Sequence, residues 1–214
     1  MNVIAIDGPA ASGKSTVSRR LAKLLGFSYV NSGSLYRAIT WEALRQGADT
    51  SNPEAVIAAL AAARFECAFS SEGESAVSIN GRIADEELRD PGINSHVSRV
   101  AAVPAVRTLV TNELRSLAAG RPLVMEGRDI GSAVFPDTPF KFYLDASPEI
   151  RRQRRAAEGL SDEIEARDRM DSSRRTAPLM IAPGARVVDT SLLTLDGVVE
   201  AILDLLKPDG ILPQ

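Results

Sequence analysis

Residues 8–15, Gly-Pro-Ala-Ala-Ser-Gly-Lys-Ser, have the spacing G-x-x-x-x-G-K-[ST] of a phosphate-binding loop, and we call them the P-loop. Small residues there let successive backbone N–H groups point into one concavity, and the dipole of a following helix adds attraction for an anion. Lys14 would reach the β- and γ-phosphates of a nucleoside triphosphate, and the Ser15 hydroxyl would face Mg²⁺. The predicted nucleotide contacts are Gly8, Pro9, Ala10, Ala11, Ser12, Gly13, Lys14, Ser15 and Thr16. A chance Gly-rich turn is the alternative; it is disfavoured because a β-branched strand pattern precedes the motif and a helical pattern follows it.

The charged segment ARDRMDSSRRTAPL, residues 166–179, is a second candidate for anion binding. If 166–175 is helical, Arg167, Asp171 and Arg174 stand at i, i+4 and i+7 on one face, within reach of a single ligand. The alternative is an ordinary solvated helix, because exposed charge pairs at this spacing are common and weak. This segment alone does not decide between the two interpretations.

Further polar and basic side chains occur in three other segments. Arg128 and Asp129 follow a predicted buried strand, at the edge where open α/β sheets bind ligands. The other two pairs are Ser32 with Arg37 and Ser98 with Arg107. Phosphoryl transfer requires two anions to be positioned and their charge neutralised, so arginines gathered from several segments favour transfer to a small acceptor. A guanine-reading Asn-Lys-x-Asp element, which a switch GTPase would need, does not occur in the chain.

The order of predicted elements favours an α/β fold with a doubly wound parallel sheet, because strand patterns alternate with helix patterns along most of the chain. The exception is residues 64–85, where apolar and polar residues alternate and Asn80-Gly81 is a strong hairpin signal. We therefore expect a small antiparallel sheet inserted in the chain. Asn52 and Pro53 are predicted to begin a helix as N-cap and first helical residue.

Composition narrows the class of protein. The chain has 214 residues, of which 44% are hydrophobic and 25% charged, with a net charge of −3. That balance argues against disorder and against a general nucleic-acid-binding surface. Only four of the 25 basic residues are lysines, an arginine excess that suits bidentate capture of phosphate but that a biased genome composition could also produce. The single cysteine, Cys67, allows no intrachain disulfide; with no signal-peptide or membrane-span pattern, we expect a cytoplasmic protein. We also expect the protein to act as a monomer.

Six stretches together resemble the bacterial cytidylate (CMP/dCMP) kinases, nearly from end to end: IDGPAASGKST, SGSLYR, SRVAAVPAVR, GRDIGSAVFPDTPFKFYLDAS, RRTAPL and VVDTSLLTLDGVV. The resemblance implies transfer of a phosphoryl group from ATP to CMP or dCMP, with Mg²⁺. It also implies a five-stranded P-loop core at about 1–31, 99–147 and 167–214. A monophosphate-binding domain at about 32–98 would carry the small sheet, and a short helical lid would span about 148–166.

The resemblance further implies a role for each candidate residue. Cytosine would be read by Ser98, Arg107 and Asp129. The acceptor phosphate would be held by Arg37, Arg128 and Arg174. The ribose would contact Arg167 and Asp171, with Ser32 at the border of the same pocket. The lid would close over ATP with Arg151, Arg154 and Arg155. The residues expected to act in catalysis are Lys14, Arg128, Asp171 and Arg174.

Three features depart from the family pattern. Glu126 stands where an Asp is often found before Gly-Arg-Asp, and Asn31 stands where an Asp is common. The lid is shorter than in well-known members, and Met170 occupies a place where an Arg can occur. These departures bear on the Mg²⁺ environment and on the lid contacts. His96, Cys67 and Trp41 are interpreted as structural residues.

Overall fold

A computed structural model describes residues 3–83, 87–157, 159 and 164–213. In chain order its helices and strands are β1 (Val3–Asp7), α1 (Lys14–Leu25), β2 (Ser28–Asn31), α2 (Ser32–Arg45), α3 (Pro53–Leu60), β3 (Phe65–Phe69), β4 (Ser75–Ile79), β5 (Arg82–Ile83), α4 (Pro91–Val100), α5 (Pro104–Leu117), β6 (Leu123–Glu126), β7 (Lys141–Asp145), α6 (Pro148–Ala157), α7 (Ile164–Ser172), β8 (Arg186–Asp189) and α8 (Leu195–Leu206).

The central sheet has five parallel strands in the order β2-β6-β1-β7-β8. Side chains of β1 alternate between its two faces: Val3 and Ala5 belong to one apolar cluster with α2 and α5, whereas Ile4 and Ile6 belong to a second cluster with α1 and α8. Helices therefore cover both faces, as the near-continuous apolar strands require. The predicted doubly wound α/β fold is confirmed.

The inserted sheet is antiparallel, in the order β3-β4-β5. Asn80 and Gly81 connect β4 to β5 with φ values of 52° and 78°, and this pair of positive φ angles is the signature of a two-residue type I′ turn. Val77 and Ile79 anchor the sheet in the apolar cluster of β1, α2 and α5. The predicted insertion is thus confirmed over 65–83, and residues 84 and 85 of the predicted segment lie outside the described residues.

Three local features differ from the sequence-based expectations or were not foreseen. Helix α4 was not predicted; Asp90 caps it by accepting from Gly92 N at 2.6 Å. A π-helical turn, Ile130–Val134, follows the Arg128-Asp129 pair. Helix α7 ends at Ser172, three residues before the end of the helix considered over 166–175, and Arg174 lies beyond the helix end.

No helix within the described ranges is long and apolar enough to cross a membrane. Asn52 and Pro53 begin α3 as predicted, with the Asn52 side chain accepting from Glu54 N and Ala55 N.

His96 and Trp41 both have contacts that agree with structural roles. The Nδ1 atom of His96 lies 2.7 Å from Thr50 Oγ1, and Trp41 packs against the apolar cluster of β1, α2 and α5.

Candidate active site

The P-loop connects β1 to α1 and has a tightly constrained backbone. A Cβ on Gly8 would stand 2.1 Å from the Leu144 carbonyl oxygen of the neighbouring strand β7, so only glycine fits there. Gly13 is the N-cap of α1, and no side chain caps that helix. The first N–H groups of α1 are therefore left for a bound anion.

Lys14 is buried at the start of α1, where its Nζ donates to Pro9 O at 2.5 Å. The pKa of Lys14 is lowered to about 7, first by burial and then by the charge of Arg128, while the carboxylates of Glu126, Asp168 and Asp7 oppose the shift. Burial disfavours the charged form of Lys14, and a phosphate oxygen beside Nζ would favour it again. Lys14 is therefore suited to bind phosphate.

A cavity of about 510 Å³ opens beside the P-loop and extends to α2 and α4. The predicted site residues that line it are Ala10, Ala11, Lys14, Ser15, Ser32, Arg37, Ser98, Arg128, Asp129, Arg155, Arg167, Asp171 and Arg174. Residues from the P-loop, from the end of β6 and from the charged segment at 166–179 thus share one space. The cavity has the volume expected for a small-molecule site.

The predicted residues that do not line this cavity are Gly8, Pro9, Ser12, Gly13, Thr16, Arg107, Arg151 and Arg154. Arg107 lies behind the cavity wall, where it forms a buried ion pair with Asp129 and donates to Ala101 O at 3.0 Å. Burial raises the pKa of the Asp129 carboxyl above its usual range, and the adjacent Arg107 opposes that shift. Arg107 therefore holds Asp129 in place and favours its ionised form.

Arg174 is the clearest anion-binding group in the cavity. Its side chain is 5% exposed, its Nε donates to Asp171 O at 3.0 Å, and its Nη2 makes no hydrogen bond. Burial is the main cause of the lowered Arg174 pKa. Asp171 Oδ1 forms an ion pair with Nη2 at 3.8 Å, which is beyond hydrogen-bond distance. A buried guanidinium nitrogen that makes no hydrogen bond is costly and would be satisfied by a ligand that accepts one.

Arg37 presents a second guanidinium to the same cavity. Its Nη2 donates to Ser34 Oγ at 3.1 Å, a neutral hydroxyl, and burial lowers its pKa. Arg37 and Arg174 come from elements far apart in sequence, and together they supply the concentrated positive charge that a phosphate monoester needs.

Arg151 and Arg154, which are predicted to face ATP, contact backbone carbonyl groups of the P-loop. Arg151 donates to Ala10 O at 3.3 Å and Arg154 to Ala11 O at 3.5 Å. Arg154 also donates to Thr190 Oγ1 at 2.9 Å, which ties α6 to the end of β8. These arginines support the P-loop from α6.

Several site residues escaped sequence reasoning. Leu88, Asn94, Val97 and Ala101 line the cavity from the unpredicted helix α4 and the short turn before it, and no motif points to them. Asp7 accepts from Ile130 N at 2.8 Å and Gly131 N at 2.7 Å, which fixes the π-helical turn after Asp129. Since Asp7 ends a buried strand directly before the P-loop, its position was a signal that could have been used.

Asp7 and Glu126 supply the buried acidic groups near the P-loop. Burial raises the pKa of Asp7 to about 7. Glu126 lines the cavity, and its Oε1 accepts from the Tyr29 hydroxyl at 2.5 Å. The Glu126 carbonyl also accepts from Ser32 Oγ at 2.8 Å, which fixes Ser32 at the cavity border. No set of three His, Cys, Asp or Glu side chains in the described part of the chain could by itself hold a metal ion.

Comparison with known proteins agrees with this geometry. Residues 4–208 match the model of the family described as Cytidylate kinase. A cytidylate kinase of Caldanaerobacter subterraneus subsp. tengcongensis is 42% identical over 95% of this chain and 94% of its own length. A cytidylate kinase of Pelotomaculum thermopropionicum is 41% identical, over 94% of this chain and 93% of its own length.

A shikimate kinase of Acinetobacter baumannii, in complex with shikimate, shares the fold with a TM-score of 0.50 and 19% identity, over 98% of this chain and 94% of the other. That likeness concerns the fold alone. The family match covers nearly the whole chain, and it includes the P-loop, the Arg128-Asp129 pair and the segment that carries Arg174. The chain belongs to the cytidylate kinase family.

Proposed function

We infer that the protein transfers the γ-phosphoryl group of ATP to CMP or dCMP, giving ADP and CDP or dCDP. The observation that carries this inference is a single cavity lined by Lys14 of the P-loop, by the partly buried arginines Arg37 and Arg174, and by the Asp129 carboxylate. The phosphate end of a nucleoside triphosphate and a nucleoside monophosphate can therefore meet in one cavity. The family match and the relatives at 41–42% identity support the same reaction.

In phosphoryl transfer the protein positions the two nucleotides and stabilises the negative charge of the transferred group. Lys14 and the first N–H groups of α1 would hold the β- and γ-phosphates of ATP. Arg37 and Arg174 would hold the acceptor phosphate, where the guanidinium fork suits bidentate contact. Arg128 lines the cavity between the P-loop and α7, and it would neutralise charge on the transferred group. These cations would reduce repulsion between the two anions, and an acceptor phosphate held beside the γ-phosphate would favour direct transfer over attack by water.

Asp129 is the proposed base-reading group. An ionised carboxylate accepts a hydrogen bond from the exocyclic amine of cytosine, whereas uracil presents a carbonyl oxygen at that position and would be repelled. Ser98 lines the same pocket and would add a hydroxyl that both donates and accepts. Apolar Leu88, Val97 and Ala101, with the Tyr36 ring, provide the flat surroundings that a nucleobase needs. CMP is therefore favoured over UMP.

Mg²⁺ fits the donor set at the cavity end of the P-loop. The Ser15 side chain and the Glu126 carboxylate both line the cavity, and such oxygen groups suit a Mg²⁺ ion that arrives with nucleotide phosphates. When bound, the ion offsets the negative charge of the β- and γ-phosphate oxygens. The residues we propose to hold it are Ser15 directly and Glu126 through water.

The remaining assignments are also proposals. Arg167 and Asp171 would contact the acceptor ribose, since both line the cavity on α7. Residues 32–98 would form the monophosphate-binding domain, and 148–166 a lid with Arg155 toward ATP. We propose that the enzyme acts as a monomer in cytoplasmic pyrimidine metabolism.

A coupled assay of ADP formation with CMP, dCMP, UMP, AMP, GMP and dTMP tests the function. We expect turnover with CMP and dCMP, weak turnover with UMP, and none in Lys14→Ala. Activity with AMP or dTMP and none with CMP would favour another small-acceptor kinase. Calorimetry that finds ATP binding without CMP binding or turnover would identify a non-catalytic ATP sensor.

A further inference from the structure

Asp168 on α7 connects three elements around the P-loop. Its Oδ1 accepts from Ala10 N, a P-loop amide, at 3.0 Å and from Arg128 Nη1 at 3.1 Å. Its Oδ2 accepts from Arg151 Nη1 of α6. One carboxylate thus joins the P-loop, the end of β6 and both helices of the charged region.

The same two arginines also bond the P-loop backbone. Arg128 Nη1 donates to Gly8 O at 2.9 Å, and Arg151 Nη1 donates to Ala10 O at 3.3 Å. The P-loop backbone, the guanidinium groups of Arg128 and Arg151 and the Asp168 carboxylate therefore form one hydrogen-bonded network, in which each group restrains the others. Its side chain is 13% exposed and is not part of the cavity wall, so Asp168 contacts the groups that bind substrate and leaves the space for substrate free.

Charge explains why a carboxylate is needed at this point. Lys14, Arg128 and Arg151 meet near the P-loop, and Asp168 is the carboxylate that pairs with both arginines. Without it, two guanidiniums would lie side by side at the phosphate site with mutual repulsion, and the Ala10 N–H would lose its acceptor. Arg128 would then keep Gly8 O at 2.9 Å and the Asp171 carboxylate at 3.2 Å, and the remaining ion pair would draw its guanidinium toward the cavity side.

We propose that Asp168 is a positioning residue for phosphoryl transfer: it holds Arg128 and the P-loop amide of Ala10 in the geometry that the transferred phosphate requires, and it fastens α6 to the P-loop through Arg151. The proposal rests on the proposed function for its kinetic consequence. Its structural consequence, the attachment of α6, does not depend on which reaction the protein catalyses.

The matched control is Glu165, also an acid on α7 that pairs with an arginine of α6. Glu165 lies 3.2 Å from Arg152, but its side chain is 49% exposed and contacts no part of the P-loop. If any acid-to-arginine contact between α6 and α7 sufficed, Glu165→Ala and Asp168→Ala would behave alike.

Steady-state kinetics with ATP and CMP separate these possibilities. In Asp168→Ala we expect kcat to fall about 100-fold, as a misplacement of about 1 Å in a positioning group produces, while the KM for CMP changes less than about threefold. Asp168→Asn keeps an acceptor for Ala10 N and removes the charge, so its kcat should fall about tenfold. Glu165→Ala should stay within about twofold of the wild type.

Limited trypsin digestion gives a readout independent of the reaction. Cleavage after Arg151, whose side chain Asp168 holds, should rise at least about tenfold in Asp168→Ala relative to cleavage after the exposed Arg152. Glu165→Ala should leave that ratio unchanged. An unchanged kcat in Asp168→Ala, or a rise in the KM for CMP that equals the fall in kcat, would overturn the positioning role.

If Asp168→Ala fails to fold, the near-isosteric Asp168→Asn carries both measurements, and wild-type kcat with a wild-type cleavage ratio would overturn the proposal. If the wild type phosphorylates no pyrimidine monophosphate, the proposed function fails, whereas the cleavage ratio still decides whether Asp168 fastens α6 to the P-loop.

Discussion

ATP binding should take up a proton at Lys14. In the free protein, burial lowers the pKa of this lysine to about 7, so at neutral pH about half of the molecules carry it uncharged. Phosphate oxygens beside Nζ favour the ammonium form and raise the pKa in the complex. Binding is therefore linked to protonation, and the affinity for ATP should fall as pH rises above 7.

The magnitude follows from the titration of a single site. With a pKa of about 7, Lys14 is about 90% uncharged at pH 8 and about 10% uncharged at pH 6. Binding should therefore take up about 0.9 proton at pH 8 and about 0.1 proton at pH 6. The ATP dissociation constant should rise close to tenfold for each pH unit above 8, until the pKa of the complex is reached.

Calorimetry in buffers of different ionisation enthalpy measures this uptake directly. The slope of observed enthalpy against buffer enthalpy gives the number of protons bound, and Lys14→Arg is the control because arginine stays charged throughout. The uptake at pH 8 should disappear in Lys14→Arg. A slope of zero for the wild type at pH 8 would refute the assignment of Lys14 as a buried, partly uncharged lysine that meets phosphate.

Three substitutions test other parts of the site. Arg174→Ala should raise the KM for CMP about 30- to 100-fold in initial-rate kinetics, because a buried charge-assisted contact to phosphate is lost. The same change at the exposed Arg169 should alter the KM less than about twofold, and equal effects of the two substitutions would contradict the orientation of Arg174. Arg107→Met should lower the free energy of unfolding by about 3–5 kcal/mol in urea denaturation, since it leaves Asp129 buried without its partner, and a loss under about 1 kcal/mol would contradict their coupling. Gly8→Ala should fail to give folded protein by circular dichroism, and a native-like melt would contradict the close approach of β7 to the P-loop.

The fold was predictable from sequence wherever local signals agreed with the tertiary structure. The alternation of strand and helix patterns, the Asn52-Pro53 helix start and the Asn80-Gly81 turn all agree with the structure. Helix α4 was missed because Gly92, Asn94 and Ser95 give it weak intrinsic helix propensity. It is stabilised by burial of Ile93, Val97 and Val100, which stand at i, i+4 and i+7; this spacing and the Asp90-Pro91 start were signals that could have been used.

The site was predictable where a motif specifies the chemistry, as at Lys14 and Ser15. In the 166–179 segment, helical spacing predicted some of the site residues but not the contacts that the segment makes with other elements. Helical spacing grouped Arg167, Asp171 and Arg174, and all three line the cavity, although Arg174 gets there from beyond the end of α7. The same spacing gave no role to Asp168, because its partners come from the P-loop and α6 and do not lie on its own helix face.

The position of a labelled phosphate tests the central claim most directly. The protein is incubated with CMP and ATP that carries the label in its γ-phosphate, and the nucleotide products are separated. The account predicts that the label moves to the β-phosphate of CDP, with little released as inorganic phosphate, and that Lys14→Ala abolishes the transfer. Label recovered only as inorganic phosphate, or on a different monophosphate in a mixture while CMP stays unlabelled, would contradict it.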